Sequence, residues 1–142
     1  MGDLMNNNIR DIYDCQKCEL HTNQKPLLDV IDECDVFWLG LSAKKVIDTE
    51  CDVPLSSNTN SGKIISEIES KCIGTTFYKS NVVKCLPIDK YGKLRYPTTK
   101  EMNICLGNFI IEKNYLKPKI VFLLGRKLPS VYLKIYLLSA KG

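Results

Sequence analysis

Histidine is almost missing: one residue, His21, serves a chain of 142. With that one imidazole three positions from Cys18, no serine, histidine and aspartate triad can be drawn. Long apolar runs are missing too, since nothing approaches the ~20 residues a membrane helix needs. The opening MGDLMNNNIRDIYD has neither the basic flank nor the apolar core of a secretory signal. Gly2 is not followed by Ser or Thr at position 6, so a myristoyl signal is unsupported as well. We therefore expect a cytoplasmic protein with no membrane partner. There is no internal repeat, no low-complexity tract and no Gly, Pro or Ser linker, which predicts one domain over residues 1–142. The NSGK tetrad at 60–63 lacks the spacing of a phosphate loop and reads as a helix start.

Acid is scarce in one half only. Residues 1–70 hold 6 Lys/Arg against 13 Asp/Glu, whereas residues 71–142 hold 14 against 3. A basic half suggests an anionic partner, with nucleic acid first in line, although a merely solvated basic face has the same composition.

What is present is an alternation of elements. DVFWLG (35–40), TTFYKSNVV (75–83) and KIVFLLG (119–125) are short runs rich in Val, Ile and aromatics, as buried strands are. Each is followed by a loop and a helical pattern. In NSGKIISEIESKC, Ile64, Ile65, Ile68 and Cys72 share one helical face, with Asn60 or Ser61 available as cap, so Cys72 reads as core. PTTKEMNICLGNFIIEKNYLKP opens with a capping box, Thr98 to Glu101, and sets Met102, Cys105, Leu106, Phe109 and Ile110 on one stripe before Pro118. The order predicts an α/β fold: a three-layer αβα arrangement around a short, mostly parallel sheet. Ligands bind such sheets beyond the carboxyl ends of their strands.

Seven cysteines in a reducing compartment point to metal ligands or buried thiols rather than disulfides. Cys15 and Cys18 form a C-x-x-C pair, Cys85 follows the second strand and Cys105 falls in the second turn of a helix. Four thiolates suit zinc or an iron–sulfur cluster, and spacing leaves the choice open. Cys34, Cys51 and Cys72 have no partner at ligand spacing and read as incidental thiols.

The order C-x-x-C, strand, SNVVKCLP, a loop ending in PTTKEMNIC, then LKPKIVFLLGR resembles the iron–sulfur (family 4 type) uracil-DNA glycosylases, from about Cys15 to Arg126. The resemblance implies a DNA-repair hydrolase that flips a uracil or modified base and cleaves its N-glycosidic bond. It implies a structural [4Fe–4S] cluster on Cys15, Cys18, Cys85 and Cys105, with zinc as the alternative. It also places Asn81 on the Watson–Crick edge of the base, which suits a carboxamide carrying both a donor and an acceptor. Backbone groups of Gly40, Leu41, Ser42 and Ala43 would hold water or the base oxygen. The segment from Lys84 to Lys100 carries Lys84, Lys90, Lys93, Arg95 and Lys100 for DNA phosphates, and Tyr91 and Tyr96 for stacking or loop anchoring.

Three departures qualify that resemblance. Where the family has an acidic, water-orienting loop this chain reads GLSAKK, with Leu41 at the acid's place, so Ser42, Asp48 and Glu50 become the nearest polar candidates. Where the family stacks a phenylalanine on the base, this chain offers Pro54 and Leu55. The family's His-Pro-Ser/Ala loop and last strand are not found by residue 142, and His21 is badly placed to substitute. The third strand is then expected to be an open apolar edge, covered by self-association or a partner chain. The competing expectation is a homologue that binds DNA or a protein without cleaving anything.

Overall fold

The computed structural model describes residues 9–29 and 33–125. Its centre is a parallel sheet of three strands, β1 (Val36–Ser42), β2 (Phe77–Val83) and β3 (Ile120–Leu123), in the order β2-β1-β3. Helix α1 (Asn60–Ser70) joins β1 to β2, and helix α2 (Thr99–Leu116) joins β2 to β3. Two short 3-10 turns, Ile9–Asp14 and Glu19–Thr22, precede the sheet. The three expected strands are all found, each within a few residues of its apolar run. The helical pattern after the third strand lies outside the described residues.

Side chains alternate across a strand, so each strand feeds both layers. Phe37 and Leu39 of β1 and Tyr78 and Val82 of β2 pack with Phe109 and Leu116 of α2 in the larger core. Phe37 meets Phe109 edge-on, with ring centroids 5.4 Å apart. Val36 and Trp38 face the other way, onto Ile65 of α1, in a much smaller cluster. This is the three-layer αβα arrangement expected.

Helix α2 begins with the expected capping box. Thr98 Oγ1 accepts from Glu101 N at 3.1 Å and Glu101 Oε1 accepts from Thr98 N at 2.8 Å, satisfying two orphan donors at once. It ends at Leu116, with Lys117 left-handed (φ 49°) ahead of Pro118.

Helix α1 differs from expectation in two respects. Its cap is Thr59, whose Oγ1 accepts from Gly62 N at 3.0 Å, rather than Asn60 or Ser61. It also stops before Cys72, which is exposed, so the core role expected for that thiol is not found. Ile64 and Ile68 stay 62% and 43% exposed, and only Ile65 of the apolar set is buried. Gly62 is needed where it is, because a side chain there would collide with the backbone of Ser56.

Among the described residues, β3 lies at one edge of the sheet with Ile120 and Phe122 half exposed, and no helix is long and apolar enough to cross a membrane.

Candidate functional site

β1 and β2 run side by side with Gly40 opposite Asn81. A Cβ on residue 40 would strike Asn81 Oδ1, so the glycine leaves room for the carboxamide to lie across the neighbouring strand. Asn81 is 3% exposed and lines a cavity of about 580 Å³ beyond the carboxyl ends of the strands. Ser42 and Leu55 line it too. Leu55 holds a left-handed backbone (φ 51°), a conformation costly for a leucine and therefore maintained by its surroundings. Lys44 and Val46 also line it and are fixed by Gln24: its Oε1 accepts from Val46 N and its Nε2 donates to Lys44 O, each at 3.0 Å.

Other expected pocket residues are placed elsewhere. Leu41 packs onto the larger core, on the α2 side of the sheet. Ala43 is fully buried and its N–H donates to Val83 O at 3.0 Å, continuing the sheet ladder, so that donor is not available to water or a base. Asp48 and Glu50 do not line the cavity. Asp48 instead ties its own turn, accepting from Glu50 N at 2.9 Å and Cys51 Sγ at 3.3 Å, which lowers its pKa. The acidic residue that does line the cavity is Asp52, whose Oδ2 accepts from Asp48 N at 3.2 Å. In sequence, Asp48, Glu50 and Asp52 are equivalent acids; only the turn decides which faces inward.

On the α2 side, the four cysteines singled out by sequence come into one region. Asn108 Nδ2 reaches Cys15 Sγ at 3.3 Å and Cys105 Sγ at 3.8 Å. Burial first, then the neighbouring Cys105, Cys18 and Cys15, push the Cys85 thiol well above its ordinary range. Cys18 is raised chiefly by burial too, with Cys105 and Cys15 adding to it against a backbone hydrogen bond from Leu20. His21 Nδ1 bonds Cys18 O at 2.5 Å, so the lone histidine braces the C-x-x-C turn. Among the described residues, no three His, Cys, Asp or Glu side chains are grouped tightly enough to hold a metal ion. The sulfurs are thus electrostatic neighbours without being gathered on one point. Cys34 is buried, while Cys51 and Cys72 are exposed.

Residues 87–97 form a tight hairpin. Ile88 and Leu94 bridge antiparallel, and Asp89 Oδ1 accepts from Tyr91 N and Lys93 N at 2.8 and 3.0 Å. Arg95 fastens the root: Nη1 and Nη2 each donate to Glu101 at 2.8 Å, and Nε donates to Ile88 O at 3.0 Å. Its hydrogen bonds bring the Glu101 carboxyl down to about 2. Arg95 is therefore committed to the hairpin rather than presented to a phosphate. Lys84 departs further from expectation: it is fully buried against Glu112 of α2, out of reach of any DNA backbone. Lys90, Lys93 and Lys100 are exposed, as are Tyr91 (74%) and Tyr96 (69%). Lys90 Nζ lies 5.1 Å from the Tyr91 ring centroid.

Comparison with known proteins agrees with this architecture. The family described as the Uracil DNA glycosylase superfamily matches residues 40–141. A Type-4 uracil-DNA glycosylase of Archaeoglobus fulgidus is 24% identical over 123 residues, an alignment covering 83% of this chain and 58% of the relative. The chain thus spans under two thirds of that relative's length. From Gly40, beneath the Asn81 carboxamide, through β3 and beyond, this chain belongs to the uracil DNA glycosylase superfamily, with its similarity pointing to the type-4 branch.

Proposed function

We propose that this protein is a DNA base-excision glycosylase that takes a flipped uracil or modified base into the cavity beside Asn81 and hydrolyses its N-glycosidic bond. The observation that carries the reading is Asn81 itself: a nearly buried carboxamide lining a cavity at the carboxyl ends of parallel strands, in a chain of this superfamily. A carboxamide reads a base edge with a donor and an acceptor together. Leu55 gives the base an apolar contact in place of an aromatic face. Ser42 and Asp52 are the polar side chains suited to orient a water molecule, Asp52 as the carboxylate.

Cys15, Cys18, Cys85 and Cys105 would hold a [4Fe–4S] cluster. The donor set fits in type: of four neighbouring cysteines, Cys18 and Cys85 have thiols raised chiefly by burial, and these need positive charge nearby to become thiolates. Zinc fits less well, since one ion requires its sulfurs at about 2.3 Å from a common centre, and no such grouping occurs among the described residues. A four-iron cluster gives each thiolate its own iron and so accepts a wider ring of sulfurs. When bound, it supplies a structural staple. Lys90, Lys93 and Lys100 would grip phosphates, with Tyr91 and Tyr96 exposed for contact with the strand. A cytoplasmic setting would keep the thiols reduced, and the edge of β3, unpaired among the described residues, would be covered by a second copy or a partner chain.

One observation favours a second reading, binding without cleavage: Leu41, at the position where the resemblance implies an acid, is a partly buried side chain packed against the core. Single- and double-stranded oligonucleotides carrying uracil or modified bases, incubated with the protein and then treated with alkali, separate the two. Strand breaks that vanish in Asn81→Ala, with binding to undamaged DNA kept, are expected. Salt-sensitive binding without breaks in any substrate would establish the second reading.

A further inference from the structure

Lys84 is fully buried, an unusual place for an ammonium group unless its charge and its protons are met. They are. Nζ donates to Ser80 Oγ at 3.1 Å and to the backbone carbonyl of Asn81 at 2.5 Å, and lies 2.5 Å from Glu112 Oε1. Glu112 is equally buried, and its Oε2 accepts from the Tyr78 hydroxyl at 2.6 Å. Oε1 makes no aligned hydrogen bond and is held by the ion pair alone.

Stability is a poor explanation for such a set, because apolar replacements of a buried ion pair are often neutral or stabilising. What is specific is the direction of the ammonium. It takes the peptide carbonyl of Asn81, whose side chain crosses from β2 to Gly40 and lines the cavity. Lys84's own carbonyl accepts from Leu27 N at 2.8 Å, and Leu27 is another wall of that cavity. One residue thus grips the cavity at two points, and neither grip touches the cavity's interior.

We propose that Lys84 is a positioning residue for Asn81, with Glu112 and Tyr78 as its anchor in the core. Fixing the peptide plane of residue 81 fixes the direction in which its side chain leaves the strand. The α2 side of the sheet therefore aims a group that works on the α1 side. The functional consequence rests on the base-reading role of Asn81; the positioning itself does not.

The test uses the full chain with a 15N-labelled Asn81 carboxamide followed by NMR, alongside excision kinetics and thermal melting. Lys84→Met leaves Glu112 unpaired and is expected to destabilise. Lys84→Met combined with Glu112→Leu removes both charges and restores the melting temperature. In that double variant the Asn81 resonances are expected to move. Excision should fall about 10- to 100-fold in kcat while KM for DNA changes by less than about 2-fold. A folded double variant with Asn81 resonances and kcat unchanged overturns the proposal. Tyr78→Phe removes one hydroxyl and no packing, so it serves even where the other variants fail to fold. A smaller shift in the same direction is expected, and its absence overturns the proposal equally. Where the wild-type chain excises nothing, the glycosylase reading fails and the Asn81 resonances alone decide the positioning claim.

Discussion

The two faces of the sheet are built differently. On the α2 side, Phe37, Leu39, Tyr78 and Phe109 are fully buried, four cysteines share a region, and a buried ion pair reaches a strand carbonyl. On the α1 side, three buried residues form the core, two helix isoleucines are exposed, and a cavity opens next to Asn81. The contrast separates two tasks. A site proposed to admit a base cannot be close-packed, yet the group proposed to read that base must be held still. Here the closed face supplies the rigidity and the open face supplies the room.

The largest expected effect tests whether sulfur holds the closed face together. Cys85→Ser or Cys105→Ser should abolish visible absorbance and iron content and lower the melting temperature by more than about 10 °C. Iron-free protein with unchanged melting would remove the cluster from the account.

Next come paired truncations of similar size. Leu39→Ala, on the closed face, should cost about 4–5 kcal/mol, whereas Ile65→Ala, on the thin face, should cost about 2–3 kcal/mol. Denaturant unfolding measures both, and equal values would erase the contrast in packing.

Glu101→Gln should cost about 1–2 kcal/mol by loosening the Arg95 clamp, allowing for its partial exposure. The Glu101 carboxyl is lowered from 4.5 to about 2 on folding. The stability it confers is therefore complete above pH 4.5 and disappears as pH falls through about 2. Proteolysis of the hairpin should accordingly stay slow at pH 5, and be faster in the Gln variant at every pH above 4.5.

The smallest effect on the fold belongs to Lys90→Ala with Lys93→Ala. Melting should not change, while the slope of log affinity against log salt for DNA should fall by about 2, one for each lost phosphate contact. An unchanged slope would take both lysines off the DNA surface.

Much of the fold was legible because its signals are local. Apolar runs gave the strands, and Thr98 with Glu101 gave the start of α2, since a capping box is written within four consecutive positions. Proline 118 marked its end. Lys84 was not legible. Between Val83 and Cys85, in the basic half, it looks like any member of a solvated basic stretch, and its partner Glu112 lies on a different element. Arg95 is a similar case, with a guanidinium that suits phosphate or carboxylate equally until the fold brings Glu101 to it. Cys72 was misplaced because helical spacing continues in the sequence after the helix itself has ended at Ser70. Asp52 could not be told from Asp48 or Glu50, because which acid faces a cavity depends on a turn that leaves no periodic trace.

The central claim, that Asn81 is held from the closed face to read a base in the open one, is tested most directly by titrating uracil-containing single-stranded DNA into protein labelled at Asn side-chain amides. The Asn81 pair should shift on binding while Asn108, beside the cysteines, stays in place. Binding that leaves Asn81 unmoved and perturbs only the hairpin would contradict it.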